Sequence, residues 1–88
     1  MNTPSNDARR LAEDALFQIT AAMEYVEMIG SAAHLIGDQL KDDPQRRHLA
    51  TVARMAAFNA EDWHNMLDCA REELKGRLAA VFGEEPHP

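Results

Sequence analysis

The chain has 88 residues, a mass of 9.8 kDa, nine basic against fifteen acidic side chains and a single cysteine. That length allows one small domain; lone Cys69 allows no internal disulfide, and one cysteine with four histidines makes no zinc finger. A formal net charge of −6 argues against direct nucleic-acid binding, which needs a basic face to displace counterions from phosphate. No run of about 18 apolar residues occurs, so no membrane span is expected. The start Met1-Asn2-Thr3-Pro4-Ser5-Asn6 does not read as a signal peptide, and a soluble cytoplasmic protein is expected.

In chain order, Thr3-Pro4 or Ser5 can open a first helix, with a hydroxyl at the N-cap and proline tolerated at the first helical position. Lys41 suits a helix C-terminus, and Asp43 before Pro44 reads as the cap of the next helix. The spacing therefore predicts one helix over about 5–41 and a second over about 44–82, joined by a tight antiparallel turn. Gly83 can cap the second, and 84–88 reads as a flexible tail outside a single 1–83 domain. Fifteen alanines and few β-branched residues leave no candidate strand, so the fold class is all-α. Gly30-Ser31 and Gly37 are the points at which helix 1 would kink or break, which would turn the hairpin into three helices.

The apolar pattern is of the coiled-coil type. On helix 1, Ala8, Ala12, Ala15, Ile19, Ala22, Val26, Ile29, Ala33, Ile36 and Leu40 alternate at spacings of three and four. Helix 2 answers with Leu49, Ala53, Ala56, Ala60, Trp63, Leu67, Ala70, Leu74 and Val81. A second stripe, Phe17, Ala21, Tyr25, Met28, Ala32 and Leu35, lies about 100° round helix 1, with Val52, Met55, Met66 and Cys69 as its shorter counterpart on helix 2 and Phe58 nearby. A hairpin offers one partner for one seam. The second is expected to bury against another chain, most simply as a homodimeric four-helix bundle.

Charge is segregated. No lysine or arginine falls between Leu11 and Leu40 or between Met55 and Ala70, while Glu24, Glu27, Glu61 and Asp62 do. With a turn at 42–43, residue i lies level with about 85 − i, and the middle of the rod becomes an acidic belt suited to a basic partner. Within it, Glu61-Asp62-Trp63-His64 carries Glu-x-x-His, whose two side chains share a helix face. That turn resembles the ligand unit of ferritin-like di-iron bundles. The resemblance implies an alternative in which Glu24 or Glu27 from helix 1, with Glu61 and His64 from helix 2, hold a metal pair at a homodimer interface.

His34, four residues before Asp38, is the one position where an exposed phosphoacceptor is conceivable, and Cys69 reads as an inert thiol. No nucleophile elbow, phosphate loop or metalloprotease motif is present, so neither catalysis nor a cofactor is expected. The reading is a non-enzymatic protein–protein interaction module, a small acidic adaptor or inhibitor. Its expected binding surface comprises Phe17, Tyr25, Met28, Leu35, Glu24, Glu27, Phe58, Glu61 and Asp62.

Overall fold

The computed structural model describes residues 5–83, so the expected tail at 84–88 lies outside the described residues. Two helices make up the fold, α1 (Asn6–Leu40) and α2 (Arg47–Phe82), packed against each other as an all-α hairpin. Ser5 caps α1: its hydroxyl oxygen accepts from the Ala8 amide at 3.1 Å. Gly83, at φ 71°, ends α2 in the left-handed conformation that only glycine adopts without strain.

Helix α1 runs unbroken through Gly30 and Gly37. The alternative of a break at either glycine is not what forms, and the reason lies across the seam. A Cβ on Gly30 would sit 3.0 Å from the Ala60 Cβ, and one on Gly37 would sit 3.6 Å from the Ala50 carbonyl oxygen. The glycines are where the two backbones come closest, so packing offsets the helix propensity they forfeit.

The connection also differs from expectation. The Asp43 carboxylate accepts from the Gln45 amide at 3.0 Å, and the Asp43 carbonyl accepts from the Arg46 amide at 3.1 Å. Asp43-Pro44 thus caps a separate tight turn. Regular helix resumes only where Leu49 and Ala50 donate to the Arg46 carbonyl, and α2 opens at Arg47 rather than at 44. The longer connection shifts the pairing. Gly30 meets Ala60, Gly37 meets Ala53, Glu27 approaches His64 and the Arg9 guanidinium lies over the Phe82 ring, 5.7 Å from its centre. Residue i is therefore level with about 90 − i, not 85 − i, and Glu24 comes level with about residue 66 instead of Glu61.

The seam is rotated relative to the sequence reading. On α1, Ala12, Ile19, Val26, Ala33 and Leu40 face α2 as expected, but the alternating positions are Leu16, Met23, Gly30 and Gly37. Ala15, Ile29 and Ile36 stay exposed and Ala22 only half-buried. On α2, Ala50, Ala57, His64 and Arg71 take the places expected for Leu49, Ala56, Trp63 and Ala70. The core that results is small: Met23 (6% exposed), Ala33, Ala50 (2% exposed), Ala53 and Ala60. The turn-side half of the seam is glycine and alanine apart from Leu40 beside the turn, while the open-end half holds Leu16, Ile19, Leu67, Leu74 and Leu78, each half-buried. Ion pairs cluster in that second half, with Arg71 2.5 Å from Asp68 and Arg77 2.9 Å from Glu73.

Two glycine substitutions separate these roles. Gly76 has nothing within 4 Å of an added Cβ, so Gly76→Ala adds helix propensity alone. It raises stability by about 0.5–1 kcal/mol, a melting shift of roughly 2–8 °C for a domain of this size. Gly30→Leu forces the helices apart and lowers stability by about 1–3 kcal/mol. Thermal unfolding followed by circular dichroism checks both, and an unchanged melting temperature for Gly30→Leu would refute the close approach.

Candidate interaction surfaces

Naming the seam positions a and d (Met23, Gly30 and Gly37 as a, Val26 and Ala33 as d; His64 as a and Ala60 as d in α2) divides the rest of each helix into two flanks. Positions e and b of both helices line one furrow: Glu27, Ser31, His34 and Asp38 from α1, Arg54, Phe58 and Glu61 from α2. The antiparallel pairing therefore places like flanks on the same side, and the c and g positions of both helices share the opposite side.

That opposite side is apolar. From α1 it carries Leu11, Tyr25, Ile29 and Ile36, and from α2 Leu49, Val52, Trp63 and Met66, all exposed. Met28, Leu35 and Met55, at the outermost positions, extend it round the edges and are also exposed. By level, all but Leu11 belong to the turn-side half, alongside the glycine–alanine part of the seam. Scattered apolar side chains on a surface are ordinary, whereas a contiguous patch drawn from two helices marks an interaction site.

The furrow side is different in kind. Its floor is Val26, Gly30, Ala57 and Ala60 with the exposed Phe58 ring, and its volume is about 550 Å³. Its banks carry three carboxylates (Glu27, Asp38 and Glu61) against one guanidinium, Arg54. His64 Nε2 lies 3.9 Å from Glu27 across the seam, and His34 Nε2 lies 3.7 Å from Asp38 along α1. Both pairs are substantially exposed to solvent and contribute little, and only Glu27–His64 links the two helices.

The binding residues expected from sequence are thus split. Tyr25, Met28 and Leu35 belong to the apolar side and its edge. Glu27, Phe58 and Glu61 line the furrow, with Phe17 and Glu24 on the same flank of α1, and Asp62 sits on the outer back of α2. Sequence reasoning had placed Ile29, Ile36, Leu49 and Trp63 in the hairpin seam, and it missed Ser31 and Arg54 as furrow residues. The available signal was the partition of polar and apolar residues between the two flanks, which is the same on both helices.

The Glu-x-x-His turn places Glu61 and His64 on the furrow, with Glu27 near His64, but Glu24 is out of level. Among the described residues no group of three or more His, Cys, Asp or Glu side chains is arranged to hold a metal ion. No helix among them is long and apolar enough to cross a membrane. Comparison of the chain with protein-family models, with curated proteins and with solved structures gives no match.

A ligand present at a hundred times its dissociation constant stabilises a fold by about 2.7 kcal/mol. Manganese, ferrous iron or zinc added in excess is expected to leave the melting temperature unchanged. A saturable rise that is lost in His64→Ala would restore the metal alternative.

Proposed function

We propose that this protein is a non-enzymatic protein–protein interaction module, a small acidic adaptor or inhibitor that works as a homodimer and binds a larger protein. The observation that carries the reading is the exposed apolar side built from both helices. The chain exposes 7249 Å², against roughly 5,200 Å² for a compact monomer of its mass. Its radius of gyration is 19.1 Å, where a compact domain of this length would have about 12 Å. A standard interface buries about 800 Å² per partner, well within that excess.

A second copy is the simplest cover. The hairpin is a slab 17 Å thick along its shortest axis, and two slabs stacked through their apolar sides make a closed four-helix bundle with two-fold symmetry. Tyr25, Ile29, Ile36, Leu49, Val52, Trp63 and Met66 then lie inside. Covering the exposed half of each gives about 1 kcal/mol apiece, roughly 14 kcal/mol for both copies. That is enough to offset an association cost of about 4–15 kcal/mol. Such pairing leaves Glu61 and His64 outside, which is why the apolar reading is preferred to a metal pair between copies.

Light scattering across a tenfold dilution tests this. The expected mass is twice 9.8 kDa, and Ile29→Glu with Met66→Glu converts the protein to monomer and red-shifts emission from Trp63, the one tryptophan of the chain. A parent protein that is monomeric at all concentrations, with emission unmoved by the two substitutions, would refute the homodimer.

A further inference from the structure

We infer that the furrow opposite the apolar side is a docking site for a basic amphipathic helix of a partner protein. The inference rests on the interaction-module reading but uses the other face of the hairpin, so that pairing of copies and occupancy of the furrow can fail separately. Three observations carry it. The furrow runs between two helices packed unusually close, because Gly30 leaves no side chain between α1 and Ala60. A channel between two helices is the natural seat for a third, whose side-chain ridge enters the groove. The lining spans Val26 to Asp38 on α1, roughly 18 Å or three turns at 1.5 Å per residue, which matches one short amphipathic helix.

The floor and banks specify the occupant's chemistry. Val26, Ala57 and the exposed face of Phe58 form an apolar floor for side chains recurring at i, i+3 or i+4, and i+7. Glu27 and Asp38 on one bank and Glu61 on the other select lysine or arginine on both flanks of the incoming helix and reject acidic ones. Arg54, the one guanidinium of the lining, stands at the turn-side end with Asp38, so the charge selection is strongest toward Glu27 and Glu61. An extended strand is not the match, since neither helix offers the unpaired backbone edge that strand addition needs.

Two synthetic peptides of about 14 residues, sharing one leucine stripe and flanked either by lysine or by glutamate, test the proposal by calorimetry at physiological salt. The lysine peptide is expected to bind the parent at least about tenfold tighter than the glutamate peptide. Phe58→Ala and the double variant Glu27→Gln with Glu61→Gln are each expected to weaken it about tenfold. Both alter exposed side chains and leave the fold intact by circular dichroism. Amide chemical-shift changes should map to 26–38 and 54–64 on the furrow flank. The proposal is overturned if the two peptides bind equally, if these variants bind like the parent, or if binding is lost instead in Ile29→Glu with Met66→Glu. The last result would move the site to the apolar side while leaving the interaction reading in place.

Discussion

The close approach of the two backbones at Gly30 and Ala60 governs the rest of the molecule. With 3.0 Å between the Ala60 Cβ and the place a Gly30 Cβ would occupy, the seam at that level admits no side chain on α1 without displacing α2. Small residues allow long backbone-to-backbone contact, but they remove little apolar area from water, at about 25 cal/mol per Å². The same choice sets the rotation of both helices: once Gly30, Gly37, Ala50 and Ala57 face inward, Ile29, Ile36, Leu49 and Trp63 must face out. Close packing and the exposed apolar side are one structural fact seen from two directions.

How much of this was legible in the sequence follows from what periodicity measures. Helix content, the hairpin, the Ser5 and Gly83 caps and the presence of a second apolar stripe all depend on local chemistry, and all could be read directly. The phase of the seam could not. The apolar arc of α1 is wider than one partner covers, and a reading by hydrophobicity centres the partner on the arc, choosing Ile29 and Ile36 over Gly30 and Gly37. The structure instead seats α2 at the edge of the arc. A helix serving one partner would centre it; an off-centre partner leaves room for another. The register failed for a different reason: Asp43-Pro44 carries the chemistry of a helix start but spends it on an isolated turn, and six connecting residues, 41–46, slide every cross-helix pair. One consequence was the loss of the level match between Glu24 and Glu61 that had suggested a metal pair.

The division of the hairpin into two unlike sides limits the functions open to it. Carboxylates that converge on a bundle core can bind metal, but here Glu27 and Glu61 line an open furrow, and the side able to pair with a second copy holds no carboxylate opposite another. The two sides differ in what they offer: exposed apolar side chains from both helices on one, and carboxylates beside a short apolar floor on the other. The stretch Leu11–Leu40 carries no lysine or arginine, and charge of one sign beside a groove generally sets which molecules approach it and how fast.

The location of the apolar side adds a final constraint. It lies mostly over the half of the rod whose seam is largely glycine and alanine, while the half with leucine, isoleucine and methionine in the seam carries Arg71–Asp68 at a half-buried seam position and the exposed pair Arg77–Glu73. An 88-residue chain has little margin to begin with, and the side chains buried in the turn-side half, Ala33, Ala50, Ala53 and Ala60, are small. Any cover placed over Tyr25, Ile29 and Trp63 would add apolar burial to the half whose own seam residues are smallest. Removing the cover should loosen the turn side first, because the bulkier open-end half retains its packing either way.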